Sequence, residues 1–258
     1  MCVLALAWKA HPRWQAVLIG NRDEFHDRPT AALAPWPDAT LLAGRDLRAG
    51  GSWLGTDGRG RLGVLTNVRD PAAATGGPSR GALVTDFLRS QQTASEAISH
   101  LHVSAPTYAP FNLLLADDSQ AHWLGNHPPA QQQLTPGIHN LSNAALDTEW
   151  PKTRRLHDGL EQWTASAEED LTALWQTLSD TRQPDDDALP DTGVGLALER
   201  TLAPVFITGP HYGTRASTLL AIDENGAGFM IERRFGPNGR PDGQSHYDFD
   251  GRGRFTAR

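Results

Sequence analysis

The chain has 258 residues, with 23 Lys and Arg against 30 Asp and Glu, a formal charge of −7 that leaves no positive surplus for a phosphate backbone and excludes a strongly basic nucleic-acid binder. With 39% hydrophobic and 21% charged residues, the composition is that of a packed globular protein rather than a disordered one. A single Cys rules out an intrachain disulfide and any Cys-rich zinc or iron–sulfur site, and it suits a reducing compartment. The N-terminal apolar run has no basic residues before it and is too short for a signal peptide. No segment approaches the ~20 apolar residues of a membrane span, and residue 2 is not the Gly of a myristoylation signal. A cytoplasmic protein of one domain over residues 1–258, with no membrane span, is expected.

Residues 2–8 form a continuous apolar run, as in a strand buried on both faces. His11-Pro12 ends it, and Trp14 to Gly20 is a second strand running into Asn21-Arg22-Asp23-Glu24. A short turn between them predicts a hairpin that brings Arg22 and Asp23 back to Cys2. Pro29 to Pro37 reads as loop. Strands are predicted at Gly50–Gly55 and Arg61–Val68 around the turn Thr56-Asp57-Gly58. A helix is predicted over residues 80–91, and Thr93-x-x-Glu96 is the capping box of another. Strands follow at Phe111–Ala116, Gln120–Leu124 and Gly137–Asn143. Pro151 opens a helix with Leu156, Leu160 and Trp163 on one face, and Ser166-x-x-Glu169 reads as a capping box for Leu171, Leu174, Trp175 and Leu178. After an acidic loop at 183–192, Arg215–Asp223 and Gly228–Arg234 form a hairpin around Glu224-Asn225-Gly226. Hairpins rather than βαβ alternation point to an α+β fold with largely antiparallel sheets.

Cys2 is the first chemical candidate. With Met1 removed, it would carry its own α-amine of pKa about 7.7–8.0 beside a thiol of about 8.5, so one residue could act as nucleophile and base. A cysteine so placed also suits a packed core. The Asn21–Glu24 stretch is either a solvated turn or a polar site at a strand end. Thr66-Asn67 and Leu141-Ser142-Asn143 end apolar strands, where an Asn either supports a turn or donates to an oxyanion. Arg215 starts a strong strand and would either pair with an acid at the surface or, if buried, lower the thiol's pKa and bind a substrate carboxylate; Arg22, Arg215 and the α-ammonium would then favour a thiolate that Asp23 only partly offsets.

Cys2, Asn21-Arg22-Asp23-Glu24, Gly50-Gly51-Ser52-Trp53-Leu54-Gly55, Leu65-Thr66-Asn67, Leu141-Ser142-Asn143-Ala144 with Thr148-x-Trp150-Pro151-Lys152, and Tyr212-Gly213-Thr214-Arg215 run in order through nearly the whole chain. This set resembles the NRDE family, whose eukaryotic members are the transport and Golgi organization protein 2 homologues. That family in turn is similar to the N-terminal-nucleophile hydrolases with a leading Cys. The resemblance implies a four-layer αββα sandwich with two mostly antiparallel sheets. It also implies Cys2 as nucleophile, Arg22 and Asp23 orienting thiolate and α-amine, Asn143 in the oxyanion hole and Arg215 as a second basic residue. Asn67 and Asn21 are further candidates for oxyanion or substrate binding.

The expected activity is cleavage or transfer at a non-peptide C–N amide or acyl bond of a small, amide, acyl or lipid-like molecule, with no cofactor or metal. The alternative is a carrier of haem or an acyl-lipid in the same cleft; a His or Cys axial ligand could serve haem, although no His has a motif nominating it. Loops 29–48, 70–79 and 183–213 are expected to shape the pocket. Elsewhere, His100-x-His102 lacks metal-ligand spacing and Gly76-Gly77-Pro78-Ser79-Arg80-Gly81 lacks the Lys-Ser/Thr of a phosphate loop. Asp185-Asp186-Asp187 lacks calcium-loop spacing, and Asp248-x-Asp250-Gly251 reads as a turn.

Overall fold

Along residues 2–8 the side chains divide between two apolar layers: Leu4, Leu6 and Trp8 enter one buried cluster, and Val3, Ala5 and Ala7 another. A strand alternates its side chains, so an unbroken apolar run must be covered on both sides. In the computed structural model, which describes residues 2–37, 40–73, 76–166 and 169–258, this run is β1 (Cys2–Trp8). It pairs antiparallel with β2 (Trp14–Phe25), and Cys2 sits opposite Arg22, as the predicted hairpin requires. One point differs: Asn21 to Glu24 lie within β2 rather than beyond its end, so their side chains split between the sheet's two faces.

The stretch after Pro29, predicted as loop, holds β3 (Thr30–Pro35) and β4 (Leu42–Asp46). β3 is an edge strand whose register against β4 shifts between Ala31 and Ala34, and its Leu33 N–H donates to Glu232 Oε1 at 2.9 Å. That partner is 199 residues away, beyond any local pattern. Next come β5 (Leu54–Thr56), β6 (Leu62–Asn67), α1 (Gly81–Arg89) and α2 (Ala94–Ser104), the last with the expected capping box between Thr93 and Glu96. β7 (Phe111–Ala116) and β8 (Ala121–Asn126) match expectation, but β9 (Pro129–Gln133) does not: all five residues are exposed, as befits a polar edge strand without apolar alternation. β10 (Gly137–Leu141) stops before Ser142.

α3 (Pro151–Ser166) buries Leu156, Leu160 and Trp163 as predicted, and α4 (Thr172–Leu178) follows. The capping box expected at Ser166 does not form, because Ser166 is the last residue of α3; Asp170 instead accepts from Thr172 N–H at 3.0 Å and its hydroxyl at 2.7 Å. Residues 167 and 168 of that motif lie outside the described residues. α5 (Leu196–Leu202) lies within the segment 183–213, read above as a loop. β11 (Tyr212–Asp223) and β12 (Ala227–Phe235) form the expected hairpin, with Gly226 at φ +75° supplying the left-handed residue of the turn. β13 (Pro241–Asp250) and β14 (Phe255–Ala257) complete the sheet, so Asp248 is in a strand, while Asp250 holds the turn by accepting from Arg252 N–H.

The strands form two seven-stranded antiparallel sheets: β10-β1-β2-β11-β12-β13-β14, and the meander β3-β4-β5-β6-β7-β8-β9. Leu6, Leu18, Leu62 and Leu114 fill the space between them. Leu156 and Leu160 of α3 and Leu174 of α4 cover the outside of the first sheet, and Val84, Phe87 and Ile98 of α1 and α2 cover the second. The result is the expected four-layer αββα sandwich. Gly51 and Gly81 let segments of the second sheet and α1 touch backbone to backbone: a Cβ on Gly51 would lie 2.2 Å from the Gly81 carbonyl carbon. Among the described residues, no helix is long and apolar enough to cross a membrane.

Candidate active site

A cleft of about 500 Å³ opens where β1 begins, bordered by Cys2, by Arg22, Asp23 and Glu24 of β2, by Asn67 at the end of β6, and by Trp53, Arg28 and the 76–81 segment. The pleat explains how β2 serves it. Arg22, in phase with Leu18 of the inter-sheet core, lays its guanidinium over the Trp53 ring at 4.5 Å, and its Nη2 is 3.7 Å from Glu24 Oε2. Asn21 and Asp23, in phase with Val17 and Ile19, turn to the helix layer. There Asp23 Oδ1 accepts from the Thr214 hydroxyl at 2.7 Å, and that hydroxyl oxygen accepts from Ile207 N–H at 2.9 Å. Burial pushes the Asp23 carboxyl above its ordinary pKa, against the pull of Lys152, the Thr214 hydrogen bond and Arg22.

Cys2 is half-buried, and its carbonyl accepts from Ser142 Oγ at 2.9 Å. Burial pushes the thiol above its ordinary value; the N-terminal ammonium and Arg22 oppose this, and Asp23 and Glu24 add to it. Desolvation thus outweighs the nearby cations while Met1 is attached; the bias toward the thiolate is expected of the chain in which Cys2 carries the α-ammonium itself. Arg215 does not repair the balance. Its Nη1 donates to the carbonyls of Phe25 at 3.0 Å and Arg28 at 2.9 Å, and it is not among the cleft's lining residues. Asn21 is also absent from this lining: its amide nitrogen bridges the carbonyls of Leu178 and Val205, each at 2.8 Å, tying α4 and the chain after α5 to the sheet.

Two motifs read separately in the sequence interlock at the cleft wall. Thr66 Oγ1 donates to the Ser142 carbonyl at 2.5 Å, and Asn143 Nδ2 donates to the Asn67 carbonyl at 2.8 Å. Asn143 itself is 1% exposed, and its Oδ1 accepts from Ser142 Oγ at 3.3 Å, Lys152 Nζ at 3.5 Å and Arg69 Nη2 at 3.5 Å. Asn67 borders the cleft, and its side-chain amide has no hydrogen-bond partner among the described residues. The wall thus offers the Asn67 amide to a ligand, with Asn143 behind it.

Several residues of the site carry no assignment from the sequence. Trp53 belongs to the Gly50–Gly55 motif, and Lys152 to the motif after Asn143, but neither pattern states a role. Arg28 pairs with Asp46 at 2.7 Å, and Arg80 donates to the Pro110 carbonyl at 2.8 Å; both border the cleft. Beneath the wall, Arg69 pairs with Glu199 of α5 at 2.5 Å, and Glu199 also accepts from Thr192 N–H at 2.9 Å. Segments 29–48 and 70–79 contribute to the cleft as expected; segment 183–213 instead supplies this buried support.

Comparison with known proteins agrees with the motif set. A Transport and Golgi organisation 2 family model matches residues 1–237. The Transport and Golgi organization 2 homolog of Mus musculus is 32% identical over 255 residues, covering 90% of this chain and 92% of the relative. The human homolog is 31% identical over 258 residues with the same coverage. Among solved structures, the Caenorhabditis elegans N-acylethanolamine-hydrolyzing acid amidase ortholog aligns with 86% of this chain and 93% of its own, at 12% identity and a TM-score of 0.45. The chain belongs to the Transport and Golgi organisation 2 family.

Proposed function

We propose that the protein is an N-terminal-nucleophile amidohydrolase or acyltransferase, acting through a thioester on Cys2. The observation that carries this reading is the position of the chain's one thiol: it heads β1 at the cleft, with Arg22 directly opposite and the Asn67 amide in the wall. Met1 lies outside the described residues, and the reaction requires its removal so that Cys2 gains an α-amine. That amine takes the proton that burial holds on the thiol. Sγ then attacks the substrate carbonyl carbon, a C–S bond forms, and the carbonyl oxygen becomes an oxyanion accepting from Asn67 Nδ2–H. Collapse breaks the C–N bond, and the α-ammonium returns its proton to the leaving amine. Water, deprotonated by the same α-amine, cleaves the thioester to a carboxylic acid and the thiol; a second nucleophile in its place makes the reaction an acyl transfer. In this scheme Arg22 and Asp23 orient thiol and amine, and Asn143 holds the Asn67 backbone.

The substrate class is a small amide or acyl compound carrying polar groups that the charged rim of Arg22, Glu24, Arg28, Asp46 and Arg80 can meet. Among the described residues the cleft's lining contains Cys2 but no His, so haem carried there would be held by a Cys thiolate rather than a His, on the same sulfur that this reading assigns to acylation. The test is turnover of chromogenic p-nitroanilides of small acyl groups by the mature protein and by Cys2→Ala. Loss of turnover with an unchanged melting temperature is expected. Turnover retained by Cys2→Ala would sink the reading.

A further inference from the structure

Lys152 is the second residue of α3 and only 2% exposed. Three features make this an unfavourable place for an ammonium: it is out of water, it lies in the positive first turn of a helix, and the Arg69 guanidinium is near. The groups that face it are Asp23 from β2, Cys2 from β1, Glu199 from α5 and Arg69 from the segment after β6. Its hydrogen bonds are long, 3.3 Å to the Leu202 carbonyl and 3.5 Å to Asn143 Oδ1. A buried charge held so loosely adds little to the fold, so its role must be sought in what it does to its partners.

The partner that leads to the cleft is Asn143. Its Oδ1 accepts from Lys152, and its Nδ2 donates to the Asn67 carbonyl at 2.8 Å. A cation on the amide oxygen withdraws electrons from the amide nitrogen and strengthens the N–H bond it donates, as in any cooperative chain. Together with Arg69 Nη2, which donates to the same oxygen at 3.5 Å, it also fixes which way the amide is turned. We propose that Lys152 is a positioning residue for acyl transfer at Cys2: through Asn143 its ammonium holds the end of β6, and with it the Asn67 amide, where the oxyanion forms. This inference rests on Cys2 being an acylated nucleophile. Burial and Arg69 lower the Lys152 pKa to about 8, so the proposed hold loosens within an accessible pH range.

Two reactions of the same sulfur separate this role from a structural one. Acetylation by p-nitrophenyl acetate forms a C–S bond, breaks the ester C–O bond and releases p-nitrophenolate through a tetrahedral oxyanion. Alkylation by iodoacetamide forms a C–S bond and expels iodide, with no oxyanion. The ratio of the two rates therefore reads the oxyanion geometry with thiolate supply divided out. Both are measured between pH 6 and 9 on the mature wild type, Lys152→Met and Lys152→Arg, with intact mass showing a single adduct on Cys2. In the wild type, the acetylation-to-alkylation ratio should fall as pH passes about 8, where Lys152 gives up its proton. In Lys152→Met it should be low and flat, down by about 10-fold or more at pH 7, a share of what an oxyanion donor supplies. Lys152→Arg, whose charge does not titrate here, should restore most of the ratio and abolish the step. If Lys152→Met does not fold, the wild-type step and its loss in Lys152→Arg decide the matter alone. A pH-independent wild-type ratio, or a Lys152→Met ratio equal to wild type, overturns the proposal. A wild type that is alkylated but never acetylated overturns the Cys2 reading itself, before any variant is examined.

Discussion

Arg61 and Lys152 are both withdrawn cations, one serving each sheet, and the fold holds them in opposite ways. Arg61, just before β6, donates from Nη1 to the Ser90 carbonyl at 2.7 Å and from Nη2 to those of Phe87 at 2.7 Å and Gln92 at 2.8 Å. Its guanidinium stacks on the Phe87 ring at 4.2 Å, with Asp57 3.7 Å away. These bonds fasten the carbonyls of the Ser90 cap and of Gln92 beyond it, and join Ser90 on that of Phe87, at the C-terminal end of α1, where a cation also suits the helix dipole. Lys152 has two long bonds, a place at the wrong end of its helix, and the thiol and Asp23 for neighbours. A buried charge with short bonds to carbonyls is a tie between elements. A buried charge loosely held beside a nucleophile is a source of field and orientation.

The contrast predicts that changes under the cleft alter chemistry and changes around Arg61 alter stability. The largest effect is expected at the wall itself. Asn67→Ala should slow acylation of Cys2 by about 10²–10³-fold, roughly 3–4 kcal/mol, with the melting temperature held. A rate within a few-fold of wild type would return the oxyanion role to Asn143. Next in size, Arg61→Met should cost about 3 kcal/mol in denaturant unfolding, since it strands buried carbonyls, while acylation of folded protein stays unchanged. A smaller loss, about 2 kcal/mol, is expected for Asn21→Ala, which removes the bridge to Leu178 and Val205. Should turnover fall instead with stability intact, Asn21 belongs to the site after all.

The smallest effect tests Lys152 as a liability to the fold. Its native pKa is about 8 against an ordinary 10.5, so between those values the unfolded chain binds more protons and stability rises with pH. Below about pH 8 the residue therefore costs stability, and above it the cost is relieved. Lys152→Met should be neutral to about 1 kcal/mol more stable at pH 7, with the gain shrinking toward pH 10. A large destabilisation at pH 7 would make Lys152 a tie like Arg61, and erase the comparison.

Much of this site is visible in the sequence, and the missing parts share a cause. The approach of Arg22 to Cys2 follows from a continuous apolar strand and a short turn, both local signals. The fate of Asn21 does not, because it depends on Asn21–Glu24 lying inside β2, where the pleat sends alternate residues to opposite faces. Arg215 stands in the right motif, yet its guanidinium goes to two carbonyls 187 and 190 residues away. Asn143 and Asn67 were each legible as strand-end amides. That one would be buried behind the other is set by how two sheets stack. For the same reason Asn143→Ala, which would leave stability intact if the side chain faced a solvated cleft, should lower it as well as the rate, since the side chain is buried and its bond to Asn67 is lost. β9 and β3 are not legible in the sequence because polar or Pro-bounded edge strands lack the alternation that marks a half-buried strand.

The central claim is that Cys2 becomes the N-terminal residue and carries an acyl group. Intact mass and N-terminal peptide analysis of protein from its native host, before and after exposure to an activated acyl ester, test it directly. The expected result is a chain lacking Met1 that gains one acyl group on Cys2, with no gain in Cys2→Ala. Catalytically active protein that retains Met1, or an adduct that persists in Cys2→Ala, would contradict it.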